Sequence, residues 1–125
     1  MKLSKIAGEV IRPAIAGLLV LLAQGCTPPS VALKSRETIL RQDLRTIRKV
    51  IDQYAVDQNT LPSSLDDLVR KDYMREVPID PITGKADWDV DIGENSIGVT
   101  VSRGVIDVHS NARGNSSDGV SYRDY

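Results

Sequence analysis

The sequence predicts an α+β fold in which a long N-terminal amphipathic helix packs on a three-stranded antiparallel β-meander, with a short second helix between them and an irregular C-terminal loop. Three observations carry this. Leu40, Leu44, Ile47, Ile51 and Tyr54 step by four, three, four and three residues, the spacing of one helix face. Trp88, Val90 and Ile92, then Ile97, Val99 and Val101, alternate with polar residues or Gly at the two-residue period of a half-buried strand. Gly93-Glu94-Asn95 and Arg103-Gly104 supply turn signals between those runs and Val105-Ile106-Asp107-Val108.

The first helix is expected from Pro29 to Tyr54, about 39 Å at 1.5 Å per residue. Pro28 or Pro29 suits its first turn, with Thr27 or Ser30 as cap. Val50 widens the apolar stripe, and Glu37–Arg41 and Arg48–Asp52 stand four apart as helix-surface ion pairs. The stripe Leu40, Leu44, Ile47, Ile51 and Tyr54 is the interaction face of this helix. With fewer than three heptads it suits packing on the chain's own sheet better than a coiled-coil seam. After a turn at Asp57–Pro62, Ser63 with Asp66 resembles a capping box, and Leu65, Leu68 and Val69 form the buried side of a two-turn helix ending near Lys71. Pro78 and Pro81 break regular structure, and Thr83-Gly84-Lys85 makes a tight turn. From Asn111 onward the chain is rich in Asn, Gly, Ser and Asp, an irregular tail.

With 125 residues there is room for one domain. There is no Phe and one Trp, so the core must be small and mostly Leu, Ile and Val. The single Cys excludes an internal disulfide, a Cys-x-x-Cys redox pair and a cysteine zinc site. A formal net charge of −1 argues against nucleic acid as a partner. Charge is unevenly spread: residues 31–55 hold six basic against three acidic residues, whereas 56–125 hold seven against thirteen. The basic flank of the first helix reads as a solvated surface, because acids are interleaved and no aromatic accompanies it.

The first 25 residues have the profile of a signal peptide. Lys2, Lys5 and Arg12 precede Ala14–Ala23, ten residues without a charge. That run is too short to span a bilayer, which takes about 20 apolar residues. The window Ala23-Gln24-Gly25-Cys26 resembles a bacterial lipobox, in which the Cys is diacylated and becomes the new N-terminus. Two acyl chains at about 0.8 kcal/mol per CH₂ hold a protein stably where one does not. The expected organisation is a lipoprotein signal peptide at 1–25, a lipid-anchored linker and helix start at 26–34, and a head domain at 35–125, with Cys26 as lipid attachment site. The expected place is a bacterial cell membrane, facing the periplasm. Thr27, not Asp, after the Cys favours the outer over the inner membrane.

The run RQDLRTIRKVIDQYAVDQNTLPSSLDDLVRKDYMREVPIDPITG, with VIDVHS and SDGVSY downstream, resembles the head domain of type II secretion pseudopilins, specifically the major, G-type subunit and its pilin-like relatives. The resemblance covers residues 33–125 and rests on Gln53-Tyr54 through Leu68, Pro78 through Gly84 and Asp107 through Ser110, matched in order and spacing. It implies a pilin-like fold and a non-catalytic role in a secretion or type IV pilus-like machine, with pseudopilins or other secretion-system proteins as partners. It also implies Ca²⁺ in the loop after the last strand, with Asp107, Ser110 and Asp118 where the family's ligands fall.

The N-terminus departs from that family. Gly8 is followed by Glu9-Val10-Ile11-Arg12-Pro13 instead of the family's apolar start, so the helix that enters a filament core is missing. This implies a pseudopilin-like head carried on a lipid anchor, an adaptor tethered at the membrane surface. The alternative is a true pseudopilin with a divergent or misassigned N-terminus. A small lipid-anchored hydrolase is the third reading: His109 is the lone histidine in Asp107-Val108-His109-Ser110, but alternate residues Asp107 and His109 share a strand face while Ser110 points away, so no catalytic residues are assigned.

Overall fold

The computed structural model describes residues 28–125. Helix α1 spans Pro29–Gln58, 30 residues and about 45 Å, and so continues past the expected end at Tyr54. Pro29 occupies the first turn, where its missing N–H is no loss. The cap is Pro28, whose carbonyl accepts from the N–H groups of Val31 and Ala32; no side chain caps the helix, and Ser30 lies inside it. Thr27 and Cys26 lie outside the described residues. Asn59 stops α1 in a left-handed conformation (φ 53°), which Asn tolerates better than most residues.

The stripe Leu40, Leu44, Ile47, Ile51 and Tyr54 is buried and packs within the chain's own core. It is therefore an internal face, filled before any partner arrives. One step of three earlier on the same stripe stands Glu37, also buried. No residue of α1 before Glu37 is buried.

The second helix, α2, is shorter than expected and spans Leu65–Arg70. Its cap is Ser64, not Ser63, and the Ser64 side chain makes no cap hydrogen bond, so the expected box does not form. Instead of Asp66, it is Asp67 that reaches back, accepting from the Ser63 N–H at 2.8 Å and from the Ser63 hydroxyl. Leu65 and Leu68 join the core. In the connection to the sheet Asp80 is fully buried and organises the Pro81–Lys85 turn, its Oδ1 accepting from Ile82 N–H (2.8 Å) and Thr83 N–H (3.3 Å). Trp88 closes this segment by donating its indole N–H to the Pro78 carbonyl at 2.7 Å.

The sheet has two strands, not three. Strands β1 (Asp89–Ile97) and β2 (Thr100–His109) form one long antiparallel hairpin. Its turn is Gly98-Val99, with Gly98 at φ 63°, the positive value that a two-residue hairpin loop requires at its first position. The expected middle strand, Ile97–Val101, straddles this turn. The two glycine sites read as turns are close-approach sites instead. A Cβ on Gly104 would meet the Pro62 carbonyl oxygen at 2.5 Å and the Leu61 Cβ at 2.7 Å, so the loop before α2 lies directly on the strand. A Cβ on Gly93 would meet Ile106 Cδ1 at 2.5 Å. Between Asp91↔Asp107 and Ile92↔Val105 the register slips, leaving Ile106 without a partner. Beside this bulge the Val105 N–H donates to the Pro62 carbonyl at 2.8 Å, which locks the loop onto the strand.

The segment after β2 is less free than its composition suggests. It turns back through an Asn115↔Ser121 bridge, and its 3-10 turn at Tyr122–Asp124 buries Tyr122 in the core cluster. The described architecture is thus α+β, one long helix over a two-stranded sheet, with the C-terminal segment closing the core.

Gly104→Ala forces backbone and a short side chain apart and is expected to destabilise by about 1–3 kcal/mol. Gly93→Ala meets only the end of a flexible Ile106 side chain and should cost less. Urea unfolding midpoints of the two variants check the order; equal effects would contradict the packing described.

Candidate functional site

A network of polar side chains lies where α1, the open end of the hairpin and the C-terminal segment meet. At its centre is Glu37. Its Oε1 accepts from the Ser117 N–H (2.8 Å) and the Tyr122 hydroxyl (3.0 Å), and its Oε2 from the Ser117 hydroxyl (2.5 Å). Burial acts to raise its pKa, but these three donors outweigh burial and the nearby Asp118, and they hold the carboxyl below its ordinary value. Burial and the same carboxylate push the Tyr122 phenol up. A carboxylate in the first position of an apolar stripe is satisfied here by a segment eighty residues away in sequence.

Arg41 and Arg48 reinforce the contact one and three turns further along α1. Arg41 donates to Asp118 at 3.0 Å and to the Tyr125 hydroxyl at 2.9 Å, and its guanidinium lies 4.5 Å from the Tyr125 ring centre. Arg48 donates from Nε to Asp107 Oδ1 at 2.7 Å, and from Nη2 to the backbone oxygens of Val108 (2.9 Å) and Tyr125 (2.7 Å). The helix pairs expected as Glu37–Arg41 and Arg48–Asp52 are replaced by these long-range partners. Arg41, Arg45 and Arg48 line an open groove with Val120 and Tyr125.

At the open end of the hairpin, Asp91 and Asp107 stand directly opposite each other. His109 shares their face. Its Nε2 is 2.9 Å from Asp91 Oδ2 and 3.7 Å from Asp107 Oδ2, and its Nδ1 is 2.9 Å from the Arg123 carbonyl oxygen. Asp107 loses solvation in this position, which acts to raise its pKa. The Val108 N–H, Arg48 and His109 outweigh that and hold it below its ordinary value. Asp89, two residues before Asp91 on the same strand, is paired with Arg123.

The structure scatters the residues expected to hold calcium. Asp107 pairs with Arg48, Ser110 donates to the buried Asp80 at 2.5 Å, and Asp118 pairs with Arg41. Two of the three thus face arginine and the third is bound into the Pro81–Lys85 turn. Cys26 lies outside the described residues.

Sequence reading missed Glu37, Asp80 and Asp91. The signal for Glu37 was present: it continues the three-and-four spacing of the stripe, and an acid on that spacing must find donors. No such signal marked Asp91, whose placement depends on the strand register. Among the described residues no helix is long and apolar enough to cross a membrane. Comparison with family models, with curated proteins and with solved structures finds no match to this chain.

Glu37→Gln replaces an acceptor oxygen by a donor facing donors and is expected to cost about 1.5–3 kcal/mol. Because the folded-state pKa of Glu37 is depressed, its contribution is complete above the unfolded value of about 4.3 and is lost as pH falls through the folded value. Urea midpoints taken at neutral pH and in steps into acid should therefore converge for the two proteins, wild type losing more. Parallel curves would refute the assignment.

Proposed function

We propose that this chain is a non-catalytic, pseudopilin-like lipoprotein, a structural or adaptor component of a type II secretion or type IV pilus-like system that works by protein–protein contacts at the membrane surface. The observation that carries the reading is the division of α1: no residue before Glu37 is buried, while the stripe from Glu37 to Tyr54 belongs to the core. The exposed turns form a stem between the lipobox at Cys26 and the head. A helix-on-sheet head with a proline-flanked turn and a polar C-terminal segment is consistent with the family resemblance, although one hairpin replaces the family's meander.

The contact surface in this reading is the far end of the hairpin. Val99 is fully exposed and Val101 is 66% exposed at the tip, and Ile92 stands exposed further down β1. An exposed apolar hairpin tip suits contact with another chain, and the partner by family likeness is a true pseudopilin.

Two measurements test the reading. Mass spectrometry of the N-terminus should find acylated Cys26, and Cys26→Ser should move the protein from the membrane to the soluble fraction. A photocrosslinker at Val99 should capture pseudopilin, and one at the exposed Lys85 should not. Recovery of the chain, unlipidated and with a methylated N-terminal residue, inside a polymerised fibre would overturn the proposal.

A further inference from the structure

We infer that His109, Asp91 and Asp107 form a binding site for a divalent transition metal of the zinc class. Each offers one ligand atom, Nε2 or Oδ2, and the three atoms lie within 4.8 Å of one another. Zinc holds nitrogen and oxygen ligands at about 2.0–2.2 Å, so neighbouring ligands in a tetrahedral site are about 3.3 Å apart. The two separations from Nε2, 2.9 and 3.7 Å, bracket that value. Closure around an ion needs side-chain adjustments of less than an ångström at those two contacts.

The orientation of the imidazole is an independent pointer. A backbone carbonyl only accepts, so the 2.9 Å contact with the Arg123 oxygen requires Nδ1 to carry a hydrogen. Neutral His109 then presents the Nε2 lone pair to two carboxylate oxygens, acceptor against acceptors. Either a second ring proton or a cation between them relieves that opposition. A metal-bound histidine has this wiring, with its second nitrogen donating to a carbonyl that sets the ring.

Charge leads to the same conclusion. Like charges directly opposite on paired strands are destabilising, and Asp91↔Asp107 is such a pair. Of the cations nearby, Arg48 is bound to Oδ1 of Asp107 and Arg123 to Asp89. Among the described residues Asp91 has only His109 as a side-chain partner. The Oδ2 atoms of both aspartates remain turned towards Nε2. The side chain of His109 is 17% exposed while Asp91 and Asp107 are 45% and 40% exposed, so an ion can enter from solvent without unfolding the hairpin and keep an open position for water. A nitrogen and two oxygens select a borderline metal over Ca²⁺, which prefers oxygen alone.

The rival source of positive charge is a second proton on His109. Calorimetric titration of the full-length chain carrying Cys26→Ser, stripped of metal, with Zn²⁺ and then Ca²⁺ separates the two. The expected result is one Zn²⁺ per chain, bound at least tenfold tighter than Ca²⁺, with binding weakened at least tenfold by Asp91→Asn and by His109→Gln. Co²⁺ should give a visible ligand-field band that both variants lose. Asp91 is a partly exposed surface residue, so Asp91→Asn, checked by its far-ultraviolet circular dichroism, guards against a loss that only reports misfolding. Absence of Zn²⁺ uptake, binding no tighter than that of Ca²⁺, or binding unchanged in both variants would overturn the site and leave the protonated ion pair.

Discussion

The interaction on which the structure depends is the capture of Ser117 and Tyr122 by the buried Glu37 carboxylate. A two-stranded sheet is marginal in water unless something covers it. Here α1 supplies most of that cover, and the C-terminal segment supplies the rest through Tyr122. Yet residues 110–125 contain only Ala112, Val120, Tyr122 and Tyr125 as apolar material. Ordering a backbone opposes folding by about 1–2 kcal/mol per residue, and so few apolar groups do not offset it alone. Charge-assisted hydrogen bonds from one rigid helix do the remaining work, with Glu37, Arg41 and Arg48 spaced along α1 as three anchors for one strap.

The same device recurs on a smaller scale. Asp67 ties down Ser63 ahead of α2, and Asp80 holds the Pro81–Lys85 turn while receiving Ser110 from the end of β2. In each case a buried aspartate accepts from backbone N–H groups that a loop would otherwise leave unpaired. Among the described residues no buried side-chain nitrogen or oxygen lacks a partner. A chain without Phe and with one Trp has limited means of building specificity from shape. Its buried acids define which loop sits where, because each would be costly in any other packing.

How much of this was legible in the sequence depends on whether the cause was local. The α1 stripe was readable because helix periodicity is a property of the segment itself, and so were the αL-tolerant turn at Gly84 and the breaks at Pro78 and Pro81. The hairpin was misread because glycine has two uses. At Gly98 it supplies a positive φ, whereas at Gly93 and Gly104 it makes room for a neighbour, and the neighbours, Ile106 and the Leu61-Pro62 backbone, lie across the fold. Arg41 and Arg48 were assigned to nearby acids at helix spacing, but each reaches an acid more than fifty residues away. The candidate site was half legible: Asp107 and His109 share a face by alternation alone, while Asp91 joins them only through the register that the bulge ends.

That bulge links the two halves of the molecule. On its open side the ladder keeps Asp91 opposite Asp107; on its tip side the strands continue in shifted register to an exposed apolar end. The carbonyl that orients His109 belongs to Arg123, inside the strap that Glu37 holds down. A cation held between His109 and the two aspartates would bind more tightly with the strap docked, since release removes the acceptor that sets the ring. If a cation occupies the hairpin's open end, its binding and the closure of the core are coupled through the Arg123 carbonyl and through Arg48, which donates to both Asp107 and the Tyr125 carbonyl, and by linkage each favours the other by the same factor. The apolar tip stands outside this coupling and stays exposed whether the strap is held by protein contacts alone or by a bound ion as well.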